Sequence, residues 1–338
     1  MRQIWIAKVG GPEVLEIREA QDPVPAAGQV RVRVKAIGVN FADTVARVGF
    51  YQDAPPIPFV PGYEVAGVVD AVGEGVSPSR VGERVVALTR FGGYSDVVVT
   101  DSVGAATLPA ALSFSAAVSL PVQWMTAWHM LVHLGNLQKG QRVLVQAAAG
   151  GVGVAAIQIA KRIGAEVIGC ASAGKHARLK DLGLDHAIDY RTLDFETETL
   201  RLTGGKGVHI ALDAIGGASF KKSYNCLAPT GKLMMFGASA ATPGEQRSLL
   251  SGIKTILTMP WFKPIDMLRA NKGVLGINLG GLWHETALLR GYLDEVLAGV
   301  AAGHYKAIVD LEVPFEKAGD AHRRLASREN FGKVVITV

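Results

Sequence analysis

Val143-Leu144-Val145-Gln146-Ala147-Ala148-Ala149-Gly150-Gly151-Val152-Gly153-Val154-Ala155-Ala156-Ile157-Gln158-Ile159-Ala160 reads as a strand, a turn of small residues and an amphipathic helix. Small side chains in such a turn let the backbone come close to a pyrophosphate. The start of the following helix offers free N–H groups and a partial positive charge. Ala148, Gly150 and Gly153 hold the three positions of the dinucleotide-binding glycine pattern, with alanine in place of the first glycine. An ordinary tight strand-to-helix connection has the same composition, so the surrounding sequence has to decide.

The surroundings favour the cofactor reading. Strands are expected at 143–146, 167–170, 187–189, 208–213, 232–236 and 274–277. Helices are expected at 153–163, 175–182, within 195–203 and at 219–227. This alternation predicts a doubly wound parallel sheet covered on both faces. The second strand ends in Cys170-Ala171-Ser172-Ala173-Gly174-Lys175-His176-Ala177-Arg178. Sites for NAD place a carboxylate there to hold the ribose hydroxyls, and this stretch has none. A 2′-phosphate needs hydroxyl and cationic donors instead. NADPH is therefore the expected cofactor, with Ser172 and Lys175 as leading phosphate contacts and Tyr190 as a further one. A basic helix start on the surface is the alternative for Lys175 and Arg178.

The first third of the chain reads differently. Val30-Arg31-Val32-Arg33-Val34-Lys35-Ala36 alternates apolar and polar residues, as a half-buried strand does. Further strands are expected at 64–72, 84–88 and towards 99, separated by Gly and Pro turns. The end of the chain returns to this style, with a strand at 307–313, a helix at 317–326 and a strand at 333–338. The reading is an α/β protein of two domains. Residues 1–117 with 304–338 form a barrel-like domain completed by the C-terminus, and residues 118–303 form the doubly wound domain.

Bulk properties agree with an enzyme of this kind. The chain has 338 residues, a length suited to two domains, and a formal charge of +5 with the cations scattered. No basic tract points to nucleic acid. Ser102 to Gln138 lacks Asp, Glu, Lys and Arg, but it is broken by Pro109 and Pro121 and carries Gln123, His129 and His133. It is expected to be buried helix and not a membrane span. Cys170 and Cys226 are too few for a disulfide framework or a four-thiolate zinc site. The absence of a signal-peptide pattern in residues 1–9 leads to an expected cytoplasmic location.

Several further stretches carry a resemblance. They are Gly10-Gly11-Pro12-Glu13-Val14-Leu15, Val34 to Asp43, Pro61-Gly62-Tyr63-Glu64-Val65-Ala66-Gly67-Val68-Val69, Ala148 to Gly153, and Gly332-Lys333-Val334-Val335. The sequence resembles the zinc-independent quinone oxidoreductases of the medium-chain dehydrogenase/reductase superfamily. Within it, the likeness is to the vesicle-amine-transport-protein-like branch, carried by residues 128–137 and by Thr258-Met259-Pro260-Trp261-Phe262. The resemblance implies a GroES-like barrel domain and a Rossmann domain that binds NADPH. Zinc-dependent relatives place Cys where this chain has Asn40 and His where it has Tyr63, and carry a four-Cys lobe soon after Leu88. Neither metal site is expected here.

The same resemblance implies site residues. Asn40, Asp43 and Tyr51 match positions facing the nicotinamide, with Tyr51 as proton donor or carbonyl partner and Asn40 holding the nicotinamide ribose or the substrate oxygen. Caps for the helix starting near Phe41 are the plainer reading of Asn40 and Asp43, and loop packing that of Tyr51. The turn Ala149, Gly150, Gly151, Val152 and Gly153 is expected to cradle the pyrophosphate. Thr126, Phe236, Gly237, Ala238, Gly276, Ile277 and Asn278 are expected on the nicotinamide side. Asn330 and Lys333 match a pair that reaches back to the cofactor, the alternative for Lys333 being a surface strand-edge lysine. His129 and His133 lie four apart on a helix but lack a third ligand nearby, so no metal is expected. Residues 249–268 are apolar and Trp-rich, and either line the substrate entrance, form a partner surface or pack on the sheet.

The expected function is NADPH-dependent reduction of a quinone or an α,β-unsaturated carbonyl compound. An enoyl-thioester or lipid-enone reductase keeps the chemistry and changes the substrate. A regulatory adaptor that binds NADPH with little turnover is the reading from another class. A homodimer is expected through residues 274–277, as in relatives.

Overall fold

A computed structural model describes residues 1–242 and 244–338. The chain divides into two compact units. Unit one comprises Met1–Met125, Gly244–Arg247 and Leu279–Val338, and unit two Thr126–Pro243 and Ser248–Asn278. The α/β class, the GroES-like first unit and the parallel Rossmann sheet agree with the sequence reading.

Unit one is built on the strand Gln29–Val39. Its alternation buries Val30, Val32 and Val34. Arg31 and Arg33 point away from that core and converge on Asp70 of the neighbouring strand, at 2.8 and 2.5 Å. From Ala36 the alternation stops and all of Ala36 to Val39 are buried. One edge of this strand pairs antiparallel with Glu64–Val72. The other edge is shared: its first half pairs with Val97–Asp101 and its second with the C-terminal strand Lys333–Thr337. Arg84–Leu88 and Ala105–Thr107 extend the sheet on one side and Val309–Pro314 on the other. The core sits on Ile4, Ile37, Val65, Val85, Phe315 and Ile336. Each such side chain stabilises by about 1.5–3 kcal/mol when fully buried.

The helix Thr286–Ala301 falls inside the stretch 118–303 expected to form the doubly wound domain. Leu289, Tyr292, Leu293, Val296 and Leu297 are its buried residues. Arg290 donates to the Val103 carbonyl at 3.0 Å, which ties the helix to unit one. Residues 279–303 therefore group with unit one, where the sequence alone had put them with the doubly wound domain.

Unit two is a six-stranded sheet, parallel throughout. Across it run His186–Ile188, Glu166–Cys170, Arg142–Val145, Val208–Asp213, Leu227–Met235 and Gly273–Gly276. Counted along the chain this is the order 3-2-1-4-5-6, with the reversal between the first and fourth strands. Ligands in such sheets bind outside the carboxyl ends of the strands at that reversal. The helix Gly151–Ile163 follows the first strand. Expected as amphipathic, it is buried on every face from Gly153 to Ala160. Gln158 meets that burial by donating to the Val154 carbonyl. Gly164, in the left-handed region at φ 92°, ends the helix.

At the carboxyl end of the fourth strand, Asp213 is fully buried. It accepts from Ile215 N at 2.8 Å and from the hydroxyls of Ser219 and Ser223, each at 2.7 Å. The carboxylate thus holds the turn after the strand against the next helix. Asp213→Ala leaves three donors without their acceptor and is predicted to cost on the order of 3 kcal/mol. Urea unfolding checks this, and a loss below about 1 kcal/mol would contradict it.

Candidate active site and cofactor cradle

In unit two the first turn has little steric freedom. A Cβ on Gly153 would lie 2.4 Å from the Ala148 carbonyl oxygen and 2.6 Å from that of Ala147, so no other residue fits without moving the turn. Ala147 itself adopts φ 50°, a conformation costing a non-glycine residue about 1–2 kcal/mol. Strain of this kind collects at ligand sites. Gly150 N donates to the Ala147 carbonyl at 2.9 Å, closing the turn. The first helical turn carries no acidic side chain. The opening of a thirteen-residue helix, the small-residue turn and the lack of local negative charge together suit a phosphate group.

The second strand ends beside this turn: Ala148 N donates to the Cys170 carbonyl at 3.0 Å. Lys175 N then donates to the Ser172 carbonyl at 2.9 Å, so Ser172 and Lys175 share one short turn. His176 Nε2 meets the Ala171 carbonyl at 2.9 Å. Tyr190 is exposed, just past the third strand. Its acidic neighbour Asp189 turns to its own backbone and accepts from Arg191 N at 3.1 Å. Phe236, Gly237 and Ala238 follow the fifth strand, where Phe236 N donates to the Asp213 carbonyl at 3.1 Å. Ile277 N donates to Met235 O at 2.8 Å, fixing Gly276, Ile277 and Asn278 at the end of the sixth strand. Thr126 is buried in the helix Pro121–Trp128.

In unit one, Asn40 precedes the helix Phe41–Arg47, and its N–H donates to Asp43 Oδ2 at 2.7 Å. Asp43 is fully buried. Tyr94 donates to the same Oδ2 at 3.2 Å and meets His322 Nε2 at 3.1 Å. Arg47 Nε donates to His322 Nδ1 at 3.2 Å. An arginine is only ever a donor, so His322 carries its proton on Nε2 and passes it towards Tyr94. Every donor in the chain Arg47–His322–Tyr94 therefore points towards Asp43. Burial raises the Asp43 carboxyl to about 7, against the opposing pull of the Asn40 N–H, the Lys333 charge and the Tyr94 hydroxyl. Burial, reinforced by Arg47, lowers His322 to about 3.

Lys333 is buried, not a surface strand-edge lysine. Its ammonium pairs with the fully buried Glu64 and donates to Asn40 Oδ1 at 2.7 Å. Asn40 Nδ2 donates to Glu64 Oε1 at 2.9 Å, and Glu64 Oε2 accepts from Val122 N at 2.7 Å. Nearby Asn330 donates to the Gly332 carbonyl at 3.0 Å. Glu64 was missed as a site residue; a lone carboxylate opening the otherwise apolar run from Val65 to Val69 was its signal. Tyr51 is half-buried and meets Tyr63 edge-on, with ring centroids 6.4 Å apart. Tyr63 continues to Phe91 at 5.1 Å and Trp283 at 6.4 Å. Burial raises the Tyr51 phenol above its ordinary value, so it keeps its proton at neutral pH.

His129 and His133 stack with ring centroids 5.3 Å apart. Among the described residues no group of three His, Cys, Asp or Glu side chains could hold a metal ion. Nor, among them, is any helix long and apolar enough to cross a membrane. In the 249–268 segment Leu250, Leu257, Trp261 and Leu268 are exposed, while Phe262 packs on Tyr224 at 5.1 Å.

The buried pair Asp43 and His322 makes a pH prediction. Between about pH 4 and 7 folded Asp43 keeps a proton that the unfolded chain releases, so its contribution falls as pH rises. Between about pH 3 and 6.5 unfolded His322 binds a proton that the folded protein refuses, so its contribution falls as pH drops. Each slope is about 1.4 kcal/mol per pH unit, and they oppose one another. From about pH 4.5 to 6.5, Asp43→Asn should gain stability with rising pH and His322→Gln should lose it. Urea unfolding at several pH values measures both slopes; slopes of the same sign would contradict the assignment.

Comparison with known proteins places these features in a family. Residues 26–122 match the alcohol dehydrogenase GroES-like domain and residues 151–287 the zinc-binding dehydrogenase family. The human synaptic vesicle membrane protein VAT-1 homolog is 41% identical over 323 residues, covering 95% of this chain and 82% of that protein. The Escherichia coli quinone oxidoreductase, solved in complex with NADPH, superposes with a TM-score of 0.88 at 31% identity over 100% of both chains. The CurK enoyl reductase superposes with a TM-score of 0.86 at 31% identity, over 99% of this chain and 98% of the other.

Proposed function

The chain belongs to the medium-chain dehydrogenase/reductase superfamily, and from that premise we propose that it transfers hydride from NADPH to a quinone or another carbonyl-conjugated double bond, without zinc. The observation that carries the reading is the turn at Gly153 together with the end of the second strand. The turn has no room for a Cβ at Gly153, and the strand end offers Ser172 and Lys175 with no carboxylate. The residues present fit the cofactor. The 149–153 turn and the helix start hold the pyrophosphate, and Ser172 and Lys175 hold the 2′-phosphate, with Tyr190 alongside. Phe236 to Ala238, Gly276 to Asn278 and Thr126 serve the nicotinamide side.

When bound, the reduced nicotinamide supplies the hydride, which is the hard part of the chemistry. The protein supplies position and protons. Tyr51 is a protonated phenol and serves as proton donor or carbonyl partner. Asn40, held by its neighbours, orients the reactants, and Asp43 holds Asn40 through its backbone N–H. Zinc independence rests on donor chemistry. Asn40 and Tyr63 stand where zinc-dependent relatives carry Cys and His, and Glu64 is committed to Lys333. An acceptor already polarised by conjugation needs no Lewis acid. The likeness to an enoyl reductase favours an enoyl thioester as the second substrate class. A homodimer through the edge strand Gly273–Gly276 belongs to the same reading.

Steady-state NADPH oxidation with a panel of quinones, enones and enoyl thioesters tests the proposal. Wild type should prefer NADPH to NADH, and Lys175→Ala should reduce that preference by about tenfold or more, the loss of one charge-assisted contact. Tight NADPH binding without turnover on any acceptor would favour an adaptor. An unchanged preference in Lys175→Ala would overturn the phosphate assignment.

A further inference from the structure

The first strand of unit two leads into Gln146, the residue directly before the turn 147–153. Its backbone N–H donates to the Leu212 carbonyl at 2.9 Å, so the ladder to the fourth strand runs on to this residue. Val145 is in register with Leu212 on one side and with Gly169 on the other. The next step along sets Gln146 between Asp213 and Cys170, at the carboxyl end of the sheet where the strand order reverses. Leu144, two residues back, packs with Ile168, Cys170 and Ala211, and alternation puts the Gln146 side chain on that same face. Gln146 is 4% exposed, and its Nε2 is buried with no hydrogen-bond partner among the described residues. Asp213 beside it has no acceptor site to spare. Its Oδ1 accepts from Ile215 N at 2.8 Å and Gly216 N at 3.4 Å, and its Oδ2 from the Ser219 and Ser223 hydroxyls, each at 2.7 Å. An amide donor taken out of water without a partner costs free energy, and folded proteins rarely keep one in that state.

We propose that Gln146 is a cofactor contact, its carboxamide N–H donating to an oxygen of the NADPH diphosphate. Place and chemistry both select that group. Gln146 adjoins the turn in which a Cβ at Gly153 has no room, and the helix that follows opens with no acidic side chain in its first turn. Ser172 and Lys175 stand further off, past the end of the second strand. A phosphate oxygen only accepts, so it complements a donor that no carbonyl or carboxylate of the fold takes up. The helix N–H groups supply part of the donor set that a diphosphate needs, and the Gln146 amide adds a side-chain member to it. The free protein thus holds a donor unsatisfied, and the bound cofactor satisfies it. The inference rests on NADPH binding at this turn.

Calorimetric titration of three ligands tests this. They are NADPH, 2′-phosphoadenosine diphosphoribose, which keeps the diphosphate and lacks the nicotinamide, and adenosine 2′-monophosphate, which lacks both. Gln146→Met keeps the length of the side chain and removes the donor. Gln146→Glu sets a carboxylate against the diphosphate. The Met variant should weaken NADPH and the diphosphoribose alike, by about tenfold or more, the worth of one hydrogen bond to a charged group. The Glu variant should weaken both further, by like-charge repulsion. The monophosphate should stay within about twofold in each variant. Removing an unpaired donor breaks no bond in the free protein, so Gln146→Met should unfold at no lower urea concentration than wild type. Weaker NADPH with the diphosphoribose unchanged would mean that Gln146 meets the nicotinamide, and would overturn the assignment. So would affinities that neither variant changes, equal weakening of the monophosphate, or a Met variant that unfolds at lower urea. If wild type binds none of the three, the cofactor reading itself fails, a result distinct from all of these.

Discussion

A backbone approach with no room for a single carbon organises unit two. Gly153 lies against the carbonyls of Ala147 and Ala148, and that proximity joins the first strand to its helix. The turn is tight enough to hold Ala147 in the left-handed region. Close packing there brings the helix N-terminus to the carboxyl end of the sheet, where the order of strands reverses. The phosphate site proposed for this turn would draw on the same geometry, because the N–H groups that the helix leaves unpaired all open in one direction.

Unit one depends on a different device, a buried charge pair spanning 269 positions in sequence. Glu64 opens the strand Glu64–Val72 and Lys333 opens the C-terminal strand, both hydrogen-bonded to Gln29–Val39. An apolar pair of the same volume is often as stabilising, so stability alone is a weak reason for such an arrangement. Both members of the pair also hydrogen-bond the Asn40 side chain. Beside it, the run Arg47–His322–Tyr94–Asp43 directs all its donors to one carboxylate and connects the helix Phe41–Arg47 to the C-terminal helix Ala318–Ala326. Together these polar networks fix the orientation of side chains that apolar packing would leave free to turn.

Much of this was legible in the sequence, and the limits have physical causes. Glu64–Val72, Arg84–Leu88 and Val208–Asp213 have the bounds that periodicity predicts, because alternation and apolar runs are local signals. The strand-turn-helix at 143–163 was equally plain, since its glycines are needed by adjacent residues. The helix Thr286–Ala301 was harder: its grouping depends on Arg290 meeting Val103, a contact without any local trace. The same holds for Lys333 and Glu64. A lysine that starts a strand resembles a surface residue until its partner from another strand is known. Asn40 and Asp43 matched both the capping and the site readings, and the hydrogen bonds between them bear out the first.

The central claim is that the turn at Gly153 is a dinucleotide cradle, and calorimetric titration of NADPH into wild type and Gly153→Ala tests it most directly. The account predicts one NADPH bound per wild-type chain, and affinity at least about tenfold weaker in a variant that remains folded, because the added methyl displaces the carbonyls that shape the turn. Equal affinity in the two proteins, or no binding by wild type, would contradict it.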